Sequence, residues 1–220
     1  MSLNKQGEGK IDWTDFTLNP ISGCKHGCSY CYMNRMEKRF PGIMEPKFHP
    51  ERLRDIAKLK KPSKIFAGSS GDMWGEWVPG GWIKKVLEEI EGYPNHIFQF
   101  LTKAPYRYGH FTLPENGWYG TTIDGTHFTK YNLNLLKWCV PYNNIRFISF
   151  EPLLNKIPKI LIDDLGGINW VIIGANSNKG AEKPPKEWAD MIIKEARKLN
   201  IAIWIKDNYG YPERIKEFPK

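Results

Sequence analysis

Three of the chain's four cysteines, Cys24, Cys28 and Cys31, stand close together in the spacing C-x3-C-x2-C, with Tyr30 directly before the last. Thiolates this near one another can hold one metal centre, because soft sulfur ligands suit zinc and iron–sulfur clusters. A [4Fe–4S] cubane normally takes four Cys ligands, so three would leave one iron open to a ligand that is not protein. Other chemistries compete for the same residues. A structural zinc site needs a fourth ligand, for which His26 or Cys139 could serve. An electron-transfer cluster wants a fourth cysteine in a suitable loop, and a redox thiol pair reads C-x2-C in a thioredoxin-like unit. With only Cys139 left over, a second all-Cys cluster is excluded.

The loop carrying these residues follows a first strand, expected over 11–20, and precedes a short helix, expected over 30–40 and stopped by Pro41-Gly42. A second helix starts at His49-Pro50, with Leu53, Ile56 and Ala57 at helical spacing. From there strands and helices alternate. Apolar strands are expected at 64–68, 97–101, 118–124, 145–151, 170–174 and 201–205. Between them, Ile83, Val86, Leu87 and Ile90 mark one helix, and Leu133, Leu136 and Trp138 mark another. Residues 157–165 read as helical, and Trp188, Met191, Ile192 and Leu199 mark the last helix. Short, almost wholly apolar strands alternating with helices indicate parallel strands buried on both faces. A complete eight-stranded barrel usually needs about 250 residues, so this chain fits a partial, open βα barrel of TIM type with about six to seven mostly parallel strands. A doubly wound open sheet is the alternative that periodicity leaves standing.

Nearly every expected strand ends in polar residues: Ser69, Ser70 and Asp72; Thr102 and Lys103; Thr122 and Asp124; Ser149 and Glu151; Asn176 and Ser177; Lys206 and Asp207. In βα barrels the site is built at the C-terminal ends of the strands, and the Cys loop follows the first strand on that same side. Loops are polar in any case, which accounts for part of the pattern. Glu151, between Phe150 and Pro152 in an apolar stretch, resists that explanation. Cys139 falls at a helix end on the opposite rim and reads as a small buried hydrophobe. Most aromatics read as core, while Trp74 and Trp77 are the better placed to line a pocket.

With 41% hydrophobic residues in 220, the chain can build one globular domain over 1–220, preceded by a loose polar arm at 1–10. The net charge of +8 fits an anionic partner such as a nucleotide or nucleic acid, although the lysines are spread along the chain as on a solvated face. No N-terminal apolar segment and no run of transmembrane length is present. The expected setting is cytoplasmic, without a membrane partner, where thiols stay reduced.

Cys24, Cys28, Tyr30 and Cys31 together resemble the motif of the radical S-adenosylmethionine (radical SAM) superfamily. The resemblance implies a partial βα barrel, a [4Fe–4S] cluster on the three cysteines and SAM on the open iron. It also implies a low-potential electron donor such as flavodoxin or ferredoxin. Reduction would cleave SAM to a 5′-deoxyadenosyl radical that abstracts hydrogen from a substrate. Beyond the cysteines, the chain is similar to a phage-associated radical SAM family over most of 13–210. The matching stretches are Gly68-Ser69-Ser70-Gly71-Asp72-Met73-Trp74-Gly75, Leu101-Thr102-Lys103, Gly120-Thr121-Thr122-Ile123-Asp124, Ser149-Phe150-Glu151-Pro152-Leu153-Leu154 and Ile205-Lys206-Asp207. It departs at Asn176, where an acidic residue is expected.

The superfamily's roles, carried over, put Tyr30 and Gly174 near the adenine. Gly68, Ser69 and Ser70 fall at the SAM amino group, Thr122 or Asp124 at the ribose, and Ser149 and Glu151 at SAM's polar groups. Lys103, Arg107, Lys206 and Asp207 are left for the substrate, the lysines suiting an anionic group such as phosphate. The competing function is a zinc- or cluster-stabilised nucleic-acid-binding protein without catalysis.

Overall fold

The computed structural model describes residues 3–7, 9–126 and 129–220. The fold is α/β with a mostly parallel sheet of eight strands, in the order β1-β2-β5-β6-β7-β8-β9-β10. Contacts cluster into two compact units, Met1–Trp118 and Tyr119–Lys220.

The first unit begins with β1 (Asn4–Lys5), antiparallel to β2 (Phe16–Leu18). The loose arm expected at 1–10 is therefore paired at these two residues. The first strand is also shorter than 11–20. Thr14 donates its hydroxyl to the carbonyls of Phe16 and Lys64, and the Asp15 carboxylate accepts the Lys64 amide, which holds 12–15 in a turn. A separate antiparallel pair, β3 (Ile21–Ser22) and β4 (Lys47–Phe48), brackets the Cys loop and α1 (Met33–Arg39). The helix expected after His49 is a 3-10 helix, Pro50–Lys58. Then come β5 (Lys64–Ala67), α2 (Gly80–Glu91), β6 (Ile97–Thr102) and a 3-10 turn over Pro105–His110. Strands β2, β5 and β6 are parallel neighbours. Ile83, Val86, Leu87 and Ile90 are buried on one face of α2, as their spacing predicts.

Strand β7 (Gly117–Thr122) carries the division between the units. The second unit continues with α3 (Thr129–Cys139), β8 (Ile145–Phe150), α4 (Lys159–Ile162), β9 (Trp170–Ile173), α5 (Lys186–Lys198) and β10 (Ala202–Ile205). Strands β8, β9 and β10 are parallel and in register from Phe147, Trp170 and Ala202. All four residues of β9 are fully buried, which explains why this strand reads as an uninterrupted apolar run. Residues 157–165 hold only one helical turn, α4, between Pro158 and Asp163. Leu133 and Leu136 form the buried face of α3, with buried Val140 just past its end, whereas Trp138 points outward with 89% exposure. Cys139 is half-buried rather than part of the core.

Residues 215–218 fold back along β10. The Ile205 amide donates to the Ile215 carbonyl, and the Glu217 amide donates to the Ile203 carbonyl. Phe218 packs on Trp170 and Trp204, so this segment covers the ladder groups that an edge strand would expose.

Candidate functional site

In the first unit the Cys loop is fixed by backbone before any side chain acts. Gly23 has φ of +87°, and a Cβ there would stand 2.3 Å from the Glu45 carbonyl oxygen. A Cβ on Gly71 would stand 2.4 Å from the Gly23 carbonyl oxygen. Only glycine fits this approach, which lets the Gly23 amide reach the Ser70 carbonyl at 3.0 Å. The Cys24 amide donates to the Met44 carbonyl at 2.9 Å, and the Cys31 amide donates to the Cys28 carbonyl at 3.0 Å. Asn34 closes the loop by donating to the same Cys28 carbonyl.

Two polar hubs at the strand ends hold this loop. At the end of β2, the Asn19 side chain exchanges bonds with the Ser69 hydroxyl and accepts the Ser70 amide at 2.8 Å. The second hub is Asp72, 5% exposed. Its carboxylate meets His26 Nε2 at 2.7 Å and accepts the Thr102 hydroxyl at 2.8 Å, the Lys103 amide at 3.0 Å and the Trp74 amide at 3.0 Å. His26 also sits edge-on to Trp77. Asn19 and the His26–Asp72 pair escape sequence reasoning. His26 reads there only as a zinc ligand and Asp72 only as one of several polar strand ends.

All four cysteines are free and half-buried. Burial pushes the Cys24 thiol up to about 11, with the negative charge of Asp72 adding to it and the His26 backbone bond opposing it. A bare thiolate is therefore disfavoured there, and a metal centre that binds the thiolate would have to supply the compensating positive charge. Among the described residues, no group of three His, Cys, Asp or Glu side chains is arranged to hold a single metal ion. Lys103 extends its ammonium over the Tyr30 ring at 5.0 Å, so these two expected site residues touch. Tyr32 donates to the Ser69 carbonyl at 2.8 Å. Arg107 is turned elsewhere, donating to the carbonyls of Gly75, Glu76 and Val78. Trp74 is fully buried against Phe100, Tyr108 and Phe111, a core residue rather than a pocket wall.

In the second unit the Lys206 ammonium pairs with the Glu151 carboxylate, their side chains 16% and 20% exposed. Gly174 makes the room, since a Cβ there would lie 2.9 Å from Cγ and Cδ of Glu151. The backbone ties these strand ends together. Leu153 N–H donates to the Gly174 carbonyl, Leu154 N–H to the Asp124 carbonyl and Lys206 N–H to the Ile173 carbonyl. The Asp124 carboxylate is turned back onto the Thr126 amide and hydroxyl. Ser149 is 1% exposed, and its hydroxyl has no hydrogen-bond partner among the described residues. A buried hydroxyl without a partner is costly, and it gives this strand end an unused polar group. Thr122 is half-buried at the end of β7. Asp207 is 68% exposed and pairs with Lys216, and Asn176 accepts the Asn178 amide within its own turn.

No helix among the described residues is long and apolar enough to cross a membrane. No protein of curated function matches the sequence. Solved structures of spore photoproduct lyase share the fold at low identity. A double mutant with bound AdoMet and dinucleoside spore photoproduct is 12% identical, with a TM-score of 0.58 over 89% of this chain and 64% of that one. A single mutant with dinucleoside spore photoproduct is 10% identical, with a TM-score of 0.64 over 92% of this chain and 78% of that one. The chain thus spans less than two thirds of the first of these proteins. The sequence profile of a family described as Protein of unknown function (DUF5131) matches residues 8–217, and the chain belongs to that family.

Proposed function

We propose that this protein is a radical SAM enzyme with one [4Fe–4S] cluster on Cys24, Cys28 and Cys31, acting on a nucleotide or nucleic-acid substrate. The observation that carries the reading is the Cys loop itself: three half-buried thiols on a backbone locked by Gly23 and Gly71 to the segment after β5. The shared fold with spore photoproduct lyase, one structure of which holds AdoMet and a dinucleoside, supports it. So do the stretches similar to the phage-associated radical SAM family. When bound and reduced, the cluster would supply cleavage of SAM to a 5′-deoxyadenosyl radical, the electron coming from a low-potential carrier such as flavodoxin or ferredoxin.

The chain's own residues bind and orient. Gly68, Ser69 and Ser70 offer backbone groups to the SAM amino group, their positions set by Asn19. Tyr30 and Gly174 border the adenine, and Thr122 or Asp124 meets the ribose. The unpartnered Ser149 hydroxyl and Glu151 hold SAM's polar groups. Lys103, Lys206 and Asp207 serve the substrate, the two lysines taking an anionic group; Asp207 is exposed and paired with Lys216.

Anoxic reconstitution with iron and sulfide tests this. The expected result is a brown protein that forms 5′-deoxyadenosine from SAM with dithionite. Changing Cys24, Cys28 or Cys31 to Ala should abolish that product, and Cys139→Ala should leave it. A colourless protein with stoichiometric zinc and no bound sulfide would favour the non-catalytic binding protein.

A further inference from the structure

The helix that follows the Cys loop gathers exposed cations on one face. On α1, Arg35, Lys38 and Arg39 are all exposed, and their i, i+3 and i+4 spacing places them on one face. No carboxylate pairs with any of them among the described residues. On the longer helices several exposed cations have partners, Lys84 with Glu88 on α2 and, on α5, Lys186 with Asp190, Lys198 with Glu195 and Arg197 with Glu217. The two acids near α1 are already engaged. The Glu37 carboxylate accepts the Gly42 and Met44 amides, and Glu45 pairs with Lys25. Exposed Lys47 adds a fourth cation to the region.

Two aromatic rings flank these cations. Tyr32 is 46% and Phe40 48% exposed, and the Arg39 guanidinium lies 5.2 Å from the Phe40 ring centre. Unpaired cations interleaved with exposed rings match the two needs of a single strand, phosphate contacts and base stacking. Arginine's planar fork suits phosphate better than a point charge does.

We propose that the face of α1 formed by Tyr32, Arg35, Lys38, Arg39 and Phe40 binds a single-stranded nucleic acid. Phosphates lie on the three cations, and a base stacks on Phe40. This rests on the enzyme reading only in making the strand its substrate; binding itself requires no SAM chemistry.

Fluorescence anisotropy with a labelled oligothymidylate, on the reconstituted protein and across a salt series, tests it. Log affinity should fall linearly with log salt. The triple variant Arg35→Ala, Lys38→Ala, Arg39→Ala should reduce the slope by about 2 and the affinity about tenfold. Phe40→Ala, which leaves every charge in place, should weaken binding about fivefold without changing the slope. Circular dichroism confirms that both variants fold. Binding that ignores salt, or that is equal in parent and triple variant, overturns the proposal. So does a triple variant that binds the strand normally but is reduced more slowly by an acidic carrier protein, which would assign the face to that carrier. Strand binding by a parent that forms no 5′-deoxyadenosine would sink the enzyme reading and leave this surface standing.

Discussion

The two units use strand-end carboxylates in opposite ways. In the first, Asp72 is buried and its oxygens are taken by His26, Thr102 and the amides of Lys103 and Trp74. In the second, Glu151 has one charged partner, Lys206, and both side chains keep some contact with solvent. A saturated buried carboxylate is scaffold, because every bond it makes is needed to offset its desolvation. A single ion pair at a strand end can exchange one partner for a ligand at little cost. Asp72 therefore fixes the place of the Cys loop, and Glu151 is the group free to respond.

The largest expected effect tests the scaffold side. Asp72→Ala leaves His26, Thr102 and two amides without their acceptor and should cost about 3 kcal/mol or more in urea unfolding. Glu151→Gln should cost about 1 kcal/mol or less by the same measurement. Equal losses would erase the distinction between the two carboxylates.

A second experiment sharpens the responsive side. Gly174→Ala places a methyl 2.9 Å from Glu151 Cγ and Cδ, so the flexible carboxylate must swing away from Lys206. Stability should fall by about 1 kcal/mol, while SAM affinity by calorimetry on the reconstituted protein falls about tenfold. Unchanged SAM affinity would mean that Glu151 and Gly174 do not face the cofactor.

The smallest effect comes from a pair that solvent screens, a reference for what an exposed bridge contributes. Two hydrogen bonds from Arg197 hold the Glu217 carboxyl below its ordinary value of 4.5. A depressed carboxyl stabilises the fold above the unfolded value, and that contribution is lost as pH falls through the lower folded value. With 47% and 39% exposure for the two side chains, the contribution should stay under about 1 kcal/mol. Glu217→Gln should lower the neutral plateau of a stability–pH curve by that amount and leave the acid end nearly unchanged, so that the limb between them flattens.

The strand–helix alternation was legible because buried parallel strands are short and apolar, and their ends turn polar where loops begin. The cysteine spacing was legible because ligands of one centre sit in one loop. Asn19 and Ser70 were not, nor His26 and Asp72, because each pair is joined across a long sequence separation by strand order that no local pattern encodes. Trp138 misled for a simpler reason. Helical spacing says that residues share a face, but here Leu133 and Leu136 took the buried one. Trp74 was the reverse case, a loop-adjacent indole absorbed by an aromatic cluster. The first strand was overestimated because Thr14 and Asp15 spend their side chains on backbone groups and turn the chain.

The contact between Gly23 and Gly71 bears on how such a protein can change over generations. Neither position can accept even one methyl without moving backbone, and each is blocked by, or against, the same loop. A lone substitution at either would shift the cysteines, and no second substitution restores the lost space. Variation is thus channelled away from this contact, to exposed positions such as Arg35, Lys38 and Arg39 on α1.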